Sequence, residues 1–175
     1  TYDAMAKFHK GKYKPKHPEK YVGDVNNIVY RSSWELSFCR WIDNNPAVKK
    51  FNMEGVVIPY VSVVDNKVHR YFVDFILEYE DRKGETRRAL VEVKPHKQTQ
   101  PPVPPKKKSK YYINEVLTYH VNVSKWKAAI EFCKKNNMDF VVLTEKGAIN
   151  LTKGAASEET LLENLEGFKC HKENS

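Results

Sequence analysis

Cysteine is scarce in this sequence. The three residues, Cys39, Cys133 and Cys170, are odd in number and far apart, which excludes a disulfide framework and a cysteine-based zinc cluster. Cys39 and Cys133 fall in helical patterns and read as core thiols. The six histidines never stand at HxxxH or HxH spacing, so a histidine metal site is not expected either. No run approaches the ~18 apolar residues of a membrane span. The first residues, TYDAMAKFHKGKYKPKH, contain no apolar stretch of the kind a secretory leader needs. A reducing cytoplasm is the default compartment.

What is abundant is positive charge. Thirty Lys and Arg against 22 Asp and Glu give a formal charge of +8 over 175 residues. This balance favours a polyanionic partner, nucleic acid before anionic membrane. The length suits one well-filled core. Residues 1–24 form a basic arm with six lysines, among them Lys10, Lys12 and Lys14. A core domain is expected over 25–150 and a helical tail over 151–175.

Within the core, residues 33–44, SWELSFCRWIDN, predict a helix capped by Ser32, with Trp34, Phe38, Trp41 and Ile42 in one apolar stripe. Strands are expected over 56–64, 68–79 and 87–94. In the second, Tyr71, Val73, Phe75, Leu77 and Tyr79 share one face, and Phe72, Asp74, Ile76 and Glu78 the other. Residues 95–110 hold five prolines and read as a loop whose Lys97, Lys106, Lys107 and Lys108 suit a phosphate backbone. A proline-rich ligand for another protein is the competing reading. A helical stretch near 108–120, a second helix capped by Ser124 and ending near Asn137, a buried strand over 139–145 and a helix over 157–167 complete the order. That order is α/β around a mixed sheet.

The chemistry concentrates in LVEVKPHK, residues 90–97. Glu92 and Lys94 share a strand face. The loop Arg82-Lys83-Gly84, with Gly84 left-handed, sets 81 against 85. Counting outward then sets Asp74 against Glu92. Two opposed carboxylates ~4.5–5.5 Å apart at their β-carbons repel each other, and a hard divalent cation removes the conflict. Glu35 brings a third acid from the helix. Structural alternatives stay open: Glu35 as the N3 residue of a capping box, and Asp74 and Glu92 paired with Arg70, Arg88 or Lys94. An E-x-K on a strand is common by chance.

Taken in order, RSSWE, RYFVDF and LVEVK resemble the PD-(D/E)XK nuclease superfamily over roughly residues 30–145. Within it they resemble the TnsA-like endonucleases, with their R-S-x-W/Y-E helix, P-D-F-like strand and E-V-K-P strand end. The basic start and compact length are similar to the head-completion nucleases of T-even-like phages. Val73 stands where the name-giving motif has proline. The resemblance implies a restriction-endonuclease-like αβββαβ core and Mg²⁺-dependent cleavage of DNA, with Mn²⁺ able to substitute. It implies Glu35, Asp74, Glu92 and the Val93 carbonyl as metal ligands and Lys94 as the catalytic lysine. A polar residue of the second core helix, Lys127 with Lys125 in reserve, would approach the scissile phosphate. Arg31 and Ser33, at the first helix's N-terminus, would meet DNA. Selection by branch, flap or end rather than by base sequence is expected, and phage head or neck proteins are expected partners. A homodimer has no signal for or against it. A non-catalytic DNA-binding or virion assembly protein, and a transposase-type subunit that cuts DNA ends, are the other classes.

Overall fold

The computed structural model describes residues 10–152. The expected helix over 157–167 and Cys170 lie outside them. The elements are β1 (Gly11–Lys12), β2 (Val29–Tyr30), α1 (Ser33–Asn44), β3 (Val48–Met53), β4 (Val57–Val61), β5 (Val68–Phe72), β6 (Phe75–Glu80), β7 (Thr86–Val93), α2 (Lys110–Lys135), β8 (Asp139–Thr144) and β9 (Gly147–Asn150). The central sheet has the order β3-β6-β7-β8-β9. It is antiparallel except for the β7–β8 pair, which the α2 crossover makes parallel. β4 and β5 form a separate hairpin. Among the described residues no helix is long and apolar enough to cross a membrane.

The sheet is filled from both sides, which is why β8 is buried at every position. Trp34, Phe38, Cys39 and Ile42 of α1 pack on Phe75, Leu77, Tyr79, Ala89 and Val91. Trp126, Ala129 and Cys133 of α2 pack on Leu90, Phe140 and Val142, together with Ile58, Tyr60 and Tyr71 of the hairpin. The result is the expected α/β core with a mixed sheet flanked by helices.

Three expectations change. The first strand of the meander is β3, VKKFNM, and not 56–64. It is an edge strand with two exposed lysines and a bulge between Val48 and Lys50, so its apolar alternation is broken. The expected strand 68–79 is two strands. At Val73 and Asp74 the chain leaves the hairpin and enters the central sheet, and its backbone is satisfied by the neighbouring turn: Val73 N–H donates to Val56 O and Glu54 N–H to Asp74 O, each at 3.1 Å. The corner swaps the faces, so Tyr71 and Val73 pack beneath α2 while Phe75 packs beneath α1. Finally, 110–135 is one helix. Ser109 caps it, accepting from Tyr112 N–H at 3.2 Å. Ser124 does not cap: its hydroxyl donates back to His120 O at 3.0 Å, an intrahelical bond open to serine.

The described part of the basic arm is built into the fold. Tyr13 is 9% exposed, and its hydroxyl donates to Asp43 Oδ2 at 2.6 Å. The Lys16 and His17 amides donate to the same carboxylate at 2.7 and 3.0 Å. Lys20 Nζ donates to the carbonyls of Ile42, Asp43 and Asn45, each at 2.8 Å. A cation on the orphan carbonyls at the end of α1 suits the helix dipole.

Candidate active site

The hairpin that joins β6 to β7 sets the register of the acids. Gly84 has φ 79°, a conformation that suits glycine. The Asp81 carboxylate closes the turn by accepting from the Lys83 and Glu85 amides, each at 2.9 Å. Glu80 pairs with Thr86 and Phe75 with Val91. The paired ladder ends at Phe75 and Val91, and Asp74 is the corner residue just before β6, next in line beside Glu92.

Asp74 stands at the β5–β6 corner, and its Oδ2 accepts from Val93 N–H at 2.8 Å. Its carboxyl is pushed well above the usual carboxylate range. Burial is the largest cause, and the charges of Glu92 and Glu35 add to it. The Val93 amide and Lys94 oppose it and do not prevail. Glu92 is 5% exposed, and one of its oxygens, Oε2, accepts from the Trp126 indole N–H. Lys94 follows one pleat further along β7's direction, half-buried. Neither arginine offered as a structural partner neutralises the acids: Arg70 lies over the Phe72 ring at 5.4 Å, and Arg88 donates to Asn136 O at 3.0 Å.

Glu35 does two things. It serves the helix start: its amide donates to Ser32 Oγ at 3.1 Å, and its carboxylate accepts from Arg31 N–H and the Ser32 hydroxyl at 3.4 Å each. These long bonds leave the carboxyl raised, by burial first and with the charge of Glu54 adding, against the Arg31 and Ser32 donors. The same carboxylate acts on Asp74. Among the described residues no three His, Cys, Asp or Glu side chains are grouped closely enough to hold an ion together. Asp74 feels the charge of Glu92 first and of Glu35 second.

Sequence reasoning misses two neighbours, Trp126 and Tyr71, and holds a third, Lys125, only in reserve. Trp126 holds Glu92. Tyr71 is 2% exposed, with its hydroxyl turned toward Glu92. Burial, then Glu92 and Asp74, push that hydroxyl far up. Lys125 lies with Nζ 5.5 Å from the Tyr71 ring centroid. Burial lowers its pKa, Glu92 opposes, and Lys94 lowers it further. Lys125, not Lys127, is thus the lysine of α2 that faces the acids, while Lys127 is exposed on another face. Two positions on the helix turn a side chain ~200° away.

The other candidate DNA contacts divide. Lys10, Lys12, Lys14, Lys106, Lys107 and Lys108 are exposed. Lys97 pairs with Glu115 at 3.9 Å. Arg31 makes a two-point pair with Glu54, at 3.0 and 3.3 Å, so it is committed within the protein. Ser33 is 7% exposed, which keeps its hydroxyl from the surface.

Residues 45–145 match the family model described as the TnsA-like endonuclease N terminal, a span that contains Asp74, Glu92 and Lys94. The curated "Head completion nuclease" of Enterobacteria phage T4 is 41% identical over 143 residues, which cover 79% of this chain and 93% of the relative. No solved structure matches. By both measures the chain belongs to the TnsA-like endonucleases and, among them, to the nucleases of phage head-completion type.

Proposed function

We propose that the chain is a Mg²⁺-dependent endodeoxyribonuclease that selects DNA by structure (a branch, flap or end) and acts in phage head completion and DNA packaging. The observation that carries this reading is the closeness of Asp74 to Glu92: Asp74 accepts from the amide of Val93, the next residue after Glu92, at 2.8 Å, and feels the charge of Glu92, with Lys94 following on the same strand end. Two hard, mutually repelling carboxylates, one of them held strongly toward its neutral form, are a donor set that a divalent cation fits, since Mg²⁺ takes one or two carboxylates and keeps several waters. Asp74 and Glu92 would hold it, with the Val93 carbonyl beside them and Glu35 reaching it through water. When bound, Mg²⁺ or Mn²⁺ supplies a water of lowered pKa and polarises the phosphoryl oxygen.

The protein's own groups do the rest. Trp126 fixes one oxygen of Glu92 and so fixes where the other points. Lys94 orients the nucleophile or stabilises the charge that develops on the phosphate. Lys125, half-desolvated beside Tyr71, faces the same phosphate. The family resemblance implies 5′-phosphate and 3′-hydroxyl products. Lys10, Lys12 and Lys14 on one segment and Lys106–Lys108 on the loop grip the DNA backbone. Head or neck proteins would bring the enzyme to its DNA in the host cell or the virion.

The test is cleavage of supercoiled, blunt, flap, fork and junction DNA in Mg²⁺, Mn²⁺ or EDTA. The wild-type protein should cut branched forms fastest and nothing in EDTA, and Glu92→Ala should cut none. Equal behaviour of wild type and Glu92→Ala on every substrate would overturn the reading. Equal rates on all DNA forms would remove structure selection alone.

A further inference from the structure

A cleft of about 620 Å³ lies between the 96–103 segment and the first half of α2. Its size is within the ~300–1,000 Å³ of sites that take small organic ligands. The first turns of α2 are largely exposed, and they line this cleft instead of packing on the sheet: Tyr111, Glu115, Thr118, Tyr119 and Asn122 recur at helical spacing along it. Pro101, Pro102 and Val103 form the facing wall. That wall is tied down, because His96 N–H donates to Glu145 Oε1 at 2.7 Å and Lys97 reaches across to Glu115.

Asn122 is the telling residue. It is 4% exposed, it lines the cleft, and its side-chain amide has no hydrogen-bond partner among the described residues. Its amide therefore opens on the cleft, where it can meet the polar edge of a ligand. The charges lining the cleft nearly cancel, Lys97 and Lys146 against Glu115 and Glu145. This does not suit a phosphate group. It suits a neutral, flat ligand with hydrogen-bonding edges, stacked on a tyrosine. Position supplies the identity. Asn122 lies one turn, about 6 Å along the axis, before Trp126, which holds Glu92. His96 lies two residues past Lys94. A DNA strand with its scissile phosphate at the acids would pass the mouth of this cleft.

We propose that the cleft is a nucleobase subsite: it takes one unpaired base of the cut strand, with Tyr119 stacking on its face and Asn122 bonding its edge. This rests on the nuclease reading above and names the feature of DNA structure that the enzyme would sense. Lys106–Lys108, on the loop that follows the wall, would hold the adjoining phosphates.

The test uses the full chain in EDTA, so that no cleavage intervenes. Duplexes carry a single iodouracil, either in an unpaired overhang or in a paired position, and are irradiated with the protein. The unpaired base should crosslink to the peptide containing Tyr119 or Tyr111, and the paired base should not. Tyr119→Leu should lose the Tyr119 crosslink, and Tyr119→Phe should keep binding. In fluorescence anisotropy the preference for unpaired over paired DNA should fall about tenfold in Asn122→Leu. Crosslinks from paired and unpaired bases alike, or an Asn122→Leu variant that weakens both DNA forms equally, would overturn the proposal. A protein that crosslinks in the expected pattern but cleaves nothing with any metal would overturn the nuclease reading and leave the subsite. One that cleaves without such crosslinks would do the reverse.

Discussion

Replacing Asp74 with asparagine should abolish cleavage and make the metal-free protein more stable. Asparagine keeps an oxygen acceptor for the Val93 amide, so the 2.8 Å bond survives. What it removes is one of two opposed carboxylates in a site that already drives Asp74 toward its neutral form. Two unit charges ~5 Å apart at an effective dielectric of ~20 repel by ~3 kcal/mol. Asp74 is only half-buried, and solvent screening reduces the gain to about 1–2 kcal/mol. For a protein of this size that is a rise of about 2–8 °C in melting temperature. The pH dependence has a definite sign. A carboxyl whose folded pKa is raised costs nothing below its ordinary value, about pH 4, where both states carry the proton. The cost appears as pH rises through the window between the unfolded and folded values. Thermal melts in EDTA should therefore show Asp74→Asn above wild type at pH 7, with the two converging near pH 4. Saturating Mg²⁺ should close the gap at pH 7 by stabilising the wild type alone. A variant that melts at or below wild type at pH 7 in EDTA, or a gap that persists at pH 4, would refute the reasoning.

Glu35→Gln should separate the two roles of that residue: glutamine preserves the capping bonds, so stability should change by less than about 0.5 kcal/mol, while cleavage falls. Glu35→Ala should lose both, read by melting and by rate. Lys125→Met should slow cleavage by about 10²-fold, whereas Lys127→Met should stay within about twofold in the same assay. Asp43→Asn should destabilise by about 2–3 kcal/mol. Burial raises the Asp43 carboxyl, but the Tyr13 hydroxyl and the Lys16 and His17 amides outweigh it and the net shift is downward. That stability is present above the ordinary carboxylate pKa and is lost as pH falls through the folded value. The deficit of Asp43→Asn in urea titrations should accordingly be full at neutral pH and vanish in acid.

The β6–β7 hairpin was legible because it depends on local chemistry. Gly84 and the three-residue turn determine its register, which runs from Glu80–Thr86 to Phe75–Val91 as the turn requires. The α1 stripe and Ser32 cap were legible for the same reason. The corner at Val73–Asp74 was not. Apolar alternation runs unbroken from Tyr71 to Tyr79, and the reversal of faces between Val73 and Phe75 comes from where the Glu54–Val56 turn sits. β3 was hidden by Lys49 and Lys50, exposed on an edge strand. Trp126 was given no role and Tyr71 only a place on a strand face, and the polar atom on each aromatic was the available signal: a buried indole N–H or phenol needs a partner. Lys127 over Lys125 was a choice of helix phase, which only the packing of Trp126 and Ala129 determines. The lysines of the N-terminal segment looked alike in sequence, yet Lys20 binds the end of α1 while Lys12 and Lys14 are exposed.

The parallel seam between β7 and β8 has a consequence for how the enzyme comes into being. Glu35, Asp74 and Glu92 all leave the ribosome early, and the antiparallel β6–β7 hairpin that aligns two of them is local and fast to form. Glu92 is paired, however, with Val142 on one side, and its carboxylate is fixed by Trp126. Ala89 meets Asp139 only after the whole of α2 has been made. Such distant contacts form last in a growing chain. A nascent molecule holds its acids long before it holds their geometry, which awaits synthesis of α2 and β8.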